Sequence, residues 1–159
     1  MKILGIDPGS GIIGFGLVNV DKSKKPTMID GGVIRTTIGD KTEDRLVELY
    51  DGMVELLDEM KPDEAAVESL FFAQNVTTAM TVSQARGVIL LCLAQRNIPI
   101  YEYTPLQIKM AMTGYGRADK KQMQEMVKVQ LGLSKIPKPD DAADALACAL
   151  THMATLQLK

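Results

Sequence analysis

Residues 2–18 read KILGIDPGSGIIGFGLV. Lys2 to Ile6 is an apolar run with β-branched residues, the composition of a strand inside a sheet. It ends on a carboxylate, Asp7, and turns at once through Pro8-Gly9-Ser10-Gly11 into a second apolar run. A carboxylate at the tip of a buried strand is costly to desolvate unless a cation or hydrogen bonds compensate it. Compensation for that charge must come from elsewhere in the chain.

Strands are expected at about 2–7, 12–20 and 28–37, separated by Gly-rich turns and the polar loop DKSKKPT, an order that suits an antiparallel meander. Leu46, Leu49, Tyr50, Met53, Leu56, Leu57 and Met60 recur at three and four residues, which predicts an amphipathic helix ended by Pro62. Ala65-Ala66-Val67 predicts a short strand, and it too finishes on a carboxylate, Glu68. A helix over about 74–95 is apolar nearly all round through VILLCLA, so one face needs a large partner surface. IPIYEY predicts a strand over 98–103, and helices are expected at about 105–112, 119–131 and 140–156. Asp140, just after Pro137 and Pro139, is placed as the N-cap of the last. The sum is a single α/β domain over 1–159, a five-stranded mixed sheet flanked by helices, with the later strands parallel because helices cross over between them. If the first and fourth strands are neighbours, Asp7 and Glu68 meet at one sheet edge, where open α/β sheets bind ligands.

A chain of 159 residues, 46% hydrophobic and 24% charged, can bury a core and is not wholesale disordered. No uncharged apolar stretch approaches the ~18–20 residues of a membrane span. No basic start with an apolar leader suggests export. Cys92 and Cys148 lie in apolar helical patterns without metal-ligand spacing, so a cytoplasmic chain with two buried free thiols is expected. The net charge of −2 argues against a nucleic-acid partner, but its distribution does not. Residues 40–68 hold eleven acidic and three basic residues, whereas 105–140 hold seven basic residues (Lys109, Arg117, Lys120, Lys121, Lys128, Lys135 and Lys138) and three acidic ones. A locally basic third on an acidic protein is compatible with a one-sided phosphate-binding surface.

A third acidic group lies in PDDAADALACAL, where Asp141 and Asp144, three apart, share the face of a first helical turn, with alanines that let the helix lie close to a sheet. Acids in a first turn are favoured by the helix dipole by ~0.3–1 kcal/mol each, which alone would account for the pair. Together with Asp7 and Glu68 they would repel one another and raise their own pKa values unless a cation holds them. Oxygen donors with no Cys or His suit Mg²⁺ or Mn²⁺. Two such ions ~3.5–4 Å apart clamp the attacking and leaving oxygens of a phosphodiester. The cluster predicts a phosphodiester hydrolase.

GIDPGSGIIGFGLV, PDEAAVESLFFAQN, SQARGV, EYTPLQIK, GRADKKQMQEMV and DDAADALACALTH also resemble, in order and spacing, the successive motifs of the RuvC family of Holliday junction resolvases, over residue 3 to about 153. The resemblance implies a ribonuclease H-like fold and a homodimer. It implies Mg²⁺-dependent endonuclease activity, with paired symmetric nicks at a four-way DNA junction and Mn²⁺ able to substitute. It also implies work alongside the RuvA and RuvB branch-migration proteins. Carried over, the family's metal-binding carboxylates fall on Asp7, Glu68, Asp141 and Asp144, holding two ions, and its two essential lysines on Lys109 and Lys120. Phe71 matches the position that stacks on bases at the junction centre, a contact worth ~1–3 kcal/mol per base. Gln74, where other members carry a lysine, and Asn75 stand beside it as further DNA contacts, with Arg117 and Lys121 from the basic segment.

The remaining residues have plainer expectations. Arg86 is read as a structural ion pair, Gly87 as a close-packing position at a dimer interface, and His152 as a helix-end polar residue. Gly114 and Gly116 around Tyr115 are read as a flexible connector. The Asp-Pro-Gly-Ser turn also resembles the phosphate loop of actin-like ATPases, but those close two copies of the fold around a nucleotide and one copy fits here. A ribonuclease H-like relative acting on RNA would share the carboxylates without needing Phe71 or the lysine pair. A junction-binding protein without catalysis would not need all four acids.

Overall fold

The computed structural model describes residues 1–69 and 76–157. Along the chain these form β1 (Lys2–Asp7), β2 (Ile12–Val20), β3 (Pro26–Arg35), α1 (Thr42–Met60), β4 (Glu64–Glu68), α2 (Val76–Gln95), β5 (Ile100–Tyr103), α3 (Pro105–Thr113), α4 (Lys120–Gln130) and α5 (Asp140–Gln157). The strands make one sheet in the order β3-β2-β1-β4-β5. β1, β2 and β3 pair antiparallel, while β1 with β4 and β4 with β5 pair parallel.

Strand alternation sorts the side chains between two layers of helix. Leu4, Ile6, Ile13, Leu17, Ala65 and Val67 face α1 and α2, which return Leu49, Met53, Leu57, Ile89 and Leu93 to the same core. Fully burying each such side chain stabilises by about 1.5–3 kcal/mol. Ile3, Val18, Ala66 and Tyr103 point the other way, into a second core completed by α3, α4 and α5. By the same alternation Asp7 and Glu68 lie on the α5 side of the sheet.

α5 lies unusually close to that face because the sheet beneath it is paved with glycine. Gly5 and Gly16 are register partners, as are Asp7 and Gly14. A Cβ on Gly5 would overlap the Ala145 carbonyl, one on Gly14 the Asp141 backbone, and one on Gly16 would stand 2.5 Å from Leu146 Cγ. The matching alanines of α5, Ala142, Ala145 and Ala149, are wholly buried. Nothing larger fits between this helix and strands β1 and β2.

α2 departs from one expectation. Its 20 residues are long and apolar enough, by length and composition, to cross a membrane. Here its inner face, Val82, Ala85, Ile89, Cys92 and Leu93, packs on the sheet. Arg86, in mid-helix, pairs with Glu102 of β5, as its interior position predicted. The opposite stripe, with Met80, Gly87 and Leu91, is exposed, and a Cβ on Gly87 would meet nothing within 4 Å.

Candidate active site

Two strand ends supply the first two carboxylates. Ile6 pairs with Val67 across the parallel β1–β4 ladder, so Asp7 and Glu68 emerge side by side. Their carboxyl groups share a hydrogen bond. α5 brings Asp144 down over them, and the three acids line one cleft together with Lys109 and Lys120.

The two lysines are held by helix starts that the sequence encodes. Thr104 caps α3 in a capping box with Gln107, whose backbone N–H donates to Thr104 Oγ1 at 3.2 Å and whose side chain accepts from Thr104 N at 2.8 Å. Asp119 and Gln122 repeat the arrangement at α4, at 2.8 and 2.9 Å, which fixes Lys120 as that helix's first residue. The T-x-x-Q and D-x-x-Q spacings are legible signals for both starts. Lys120 Nζ sits 3.6 Å from both Asp144 Oδ2 and Asp140 Oδ2.

The electrostatics of this cluster are strained. Burial, then the charges of Glu68, Asp144 and Asp141, push the Asp7 carboxyl from 3.8 up to about 8. Glu68 is raised by burial and by Asp144, partly offset by the Asp7 hydrogen bond and the Lys109 ammonium. Burial raises Asp144 against the opposing pull of Lys120. Burial opposes the charge of Lys120, but Asp144 and Asp140 outweigh it and raise its pKa. Cys148, one turn beyond Asp144, is wholly buried, and burial followed by the Glu68 and Asp7 charges holds its thiol well above the ordinary range. It stays neutral and out of the donor set.

Of the four expected carboxylates, Asp7, Glu68 and Asp144 line one cleft and Asp141 lines the next. Asp141, on the first turn of α5, lines an adjoining cleft with Ser10, Thr36 and Arg45, although its charge still reaches Asp7. Among the described residues no three Asp, Glu, His or Cys side chains close into a preformed metal cage. The donor chemistry nevertheless fits a hard divalent cation. All the acids offer oxygen, and Asp7 and Glu68, left to themselves, must share a proton that a cation would displace.

Other sequence expectations are placed or corrected. Asp140 is the first residue of α5 rather than its cap, and its carboxylate takes Lys138 Nζ at 2.7 Å as well as Lys120. That pairing, with the Lys138 hydrogen bond foremost, lowers its pKa. His152 is a buried mid-helix residue, not a helix-end polar one. Its Nδ1 meets Tyr103 Oη and its Nε2 meets Glu64 Oε2, each at 2.7 Å, and its ring stacks on Tyr101 at 4.2 Å. The segment around Tyr115 is a tied turn rather than a loose connector. Gly114 caps α3 at φ 70°, Tyr115 N donates to Thr113 Oγ1 at 3.1 Å, and a Cβ on Gly116 would stand 2.6 Å from Leu106 Cδ1. Arg117 and Lys121 are exposed on and just after this turn. Phe71, Gln74 and Asn75 lie outside the described residues. Cys92 and Cys148 are free and buried, as expected. Arg35 and Arg45, which sequence reasoning did not single out, line the cleft that Asp141 shares.

A mixed sheet in this order, with carboxylates at the ends of β1 and β4 and a third on the helix laid across them, defines the ribonuclease H-like class. The comparisons narrow the class. The family profile described as crossover junction endodeoxyribonuclease RuvC matches residues 3–152. The crossover junction endodeoxyribonuclease RuvC of Chloroflexus aurantiacus is 53% identical over 98% of this chain and 94% of its own. The Thermus thermophilus RuvC structure superposes with a TM-score of 0.90 at 34% identity, covering 99% of this chain and 96% of that one. The T. thermophilus RuvC structure in complex with Holliday junction substrate superposes with a TM-score of 0.89 at 32% identity, with the same coverage. This chain belongs to the RuvC family of crossover junction endodeoxyribonucleases.

Proposed function

We propose that this protein is a structure-specific endonuclease that resolves four-way DNA junctions by paired, symmetric hydrolysis of phosphodiester bonds. The observation that carries the reading is the cleft in which Asp7, Glu68 and Asp144 face Lys109 and Lys120. The family membership and the junction bound to the Thermus relative support the same substrate.

Asp7, Glu68 and Asp144, with Asp141 from the neighbouring cleft, would hold Mg²⁺, two ions in the full complement, and Mn²⁺ can replace it. Bound there, the ions would supply charge neutralisation and Lewis acidity to the attack of water on phosphorus. The chain's own residues do the rest. Asp7 and Glu68, whose carboxyl groups share a hydrogen bond, would hold a cation as the deprotonated pair. Lys120, steered by Asp144 and Asp140, and Lys109, whose charge reaches Glu68, present ammonium groups to the negative charge that develops on the scissile phosphate. Phe71 would stack on a base at the junction centre, with Gln74, Asn75, Arg117 and Lys121 on the surrounding strands.

A symmetric four-way substrate calls for two copies of the site. The exposed apolar stripe of α2, with Gly87 open to close approach, suits a homodimer contact. RuvA and RuvB are the proposed working partners, and the two free thiols suit a reducing cytoplasm.

The test is incubation with a four-way junction, a linear duplex and an RNA–DNA hybrid, each with and without Mg²⁺. Paired nicks in the junction alone, and with metal alone, are expected. Preferential cutting of the hybrid would favour an RNA-directed relative of the same fold.

A further inference from the structure

We infer that the cleft adjoining the carboxylates is a second phosphate-binding groove, in which Arg35 and Arg45 hold the DNA backbone on the far side of the scissile bond. The inference rests on the junction-cutting reading above and adds to it a contact surface separate from the Lys109–Lys120 side.

The cleft opens at the same rim of the sheet as Asp7. Arg35, the last residue of β3, pairs in register with Ile12, just past the β1–β2 turn, while Asp7 pairs with Gly14. Asp141 closes one end, and the other charged residues of the lining are the two arginines. Asp144, one turn along α5, lines the catalytic cleft, so the two clefts meet at the first turn of this helix. A strand whose scissile phosphate lies over Asp7 therefore has lysines to one side and arginines to the other.

The state of the two arginines argues that their charge is meant for a ligand. Among the described residues neither takes part in an ion pair. For Arg45 this is unexpected, since residues 40–68 hold eleven acids against three bases and Asp44 and Glu48 are close in sequence. Glu48 is occupied by Thr37, which donates from its N–H at 2.6 Å and from Oγ1 at 2.7 Å. Arg45 turns instead to neutral acceptors. Its Nε and Nη2 each donate to Thr36 Oγ1 at 3.1 Å, and Nη2 also donates to the Ser10 carbonyl. The guanidinium is thus fixed in direction by neutral acceptors on and beside the turn that follows Asp7, and the charge of Glu48 reaches it only at longer range, without an ion pair. An oriented guanidinium in a cleft is the arrangement that best recognises a phosphodiester. Arg35 is exposed beside it, and Ile38, 93% exposed on the same lining, offers apolar surface against which a deoxyribose can rest.

The experiment measures binding of a dye-labelled synthetic four-way junction across a salt series, without divalent metal, for wild type, Arg35→Ala, Arg35→Lys and Lys22→Ala. Lys22 is an exposed cation on the β2–β3 turn, at the opposite end of the strands. Each lost phosphate contact reduces the slope of log affinity against log salt by about one per subunit engaged. Arg35→Ala is expected to show that shallower slope and roughly three- to tenfold weaker binding near 0.1 M salt. Arg35→Lys is expected to recover most of the slope, and Lys22→Ala to keep all of it. Arg45→Gln, checked for native circular dichroism because it also ties the turn, should repeat the loss. An Arg35→Ala slope equal to that of wild type, with wild-type binding intact, overturns the groove and leaves the junction reading standing. Wild-type protein that binds junction no better than linear duplex overturns the junction reading and the groove with it.

Discussion

Asp7 is held in a position that favours its proton as long as no cation is present. Its carboxyl titrates near 3.8 in an unfolded chain and near 8 in the fold, because burial and then Glu68, Asp144 and Asp141 disfavour the anion. A carboxyl raised in this way costs the fold nothing below its unfolded value and removes stability as pH climbs through the window from about 4 to about 8. The metal-free protein should therefore lose unfolding midpoint between about pH 5 and about pH 8 in a thermal-shift series, and Asp7→Asn should flatten that decline. Added Mg²⁺ should stabilise most at the alkaline end, where it no longer competes with the proton. A midpoint in wild type that rises over this range would contradict the electrostatics described here. Asp7→Asn should also cut junctions roughly 10²-fold more slowly or worse while still binding them, read by gel shift beside a cleavage assay. Lys120→Ala should depress the cleavage rate far more than the affinity, since Asp144 and Asp140 aim its ammonium at the cleft. Equal losses would make Lys120 an anchor for the backbone.

The elements owe their positions to contacts of very different range, and this decides what the sequence reveals. The alternation of β1, the amphipathic spacing of α1 and the breaker after it are local, and each reads directly from neighbouring residues. So does the carboxylate that ends β1 and β4, because a charge at the end of an apolar run stands out. The crossover rule put the ends of β1 and β4 on one edge, but the meeting of Asp7 with Glu68 also needed the two strands to be neighbours, which the sheet order supplies. What stayed hidden depends on partners far along the chain. Asp141 and Asp144 share a helical face in projection, yet the glycine floor seats α5 so that they serve adjacent clefts. His152 looked like a polar helix end because Glu64 and Tyr103, which accept and complete its hydrogen bonds, are remote in sequence. That histidine ties together β4, β5 and α5, and its replacement by alanine should cost about 1–3 kcal/mol of unfolding free energy by removing two hydrogen bonds and a buried ring, measured by urea denaturation. Gly5→Ala should cost about 3 kcal/mol, since its Cβ would enter the Ala145 carbonyl and lift α5 off the sheet. A Gly5→Ala protein of unchanged midpoint would show that the helix does not need the floor.

At the scale of the molecule, charge and apolar surface are segregated. The acidic stretch of α1 lies on one side, the lysines of α3 and α4 on the other, and the stripe of α2 with Met80 and Leu91 is exposed, the surface proposed above for a homodimer contact. Leu91→Glu, in that stripe and 51% exposed, should convert a dimer to a monomer in sedimentation velocity with little loss of thermal stability. Persistence of the dimer would move the contact elsewhere. Asp7 and Asp144 lie near opposite ends of the sequence, on the first strand and the last helix, and touch the same cleft only once the glycine floor is covered. A chain cut short before α5 therefore lacks Asp144, so the full set of cleft acids exists only after the last helix has docked, and completion of the fold and completion of the cutting site are one event.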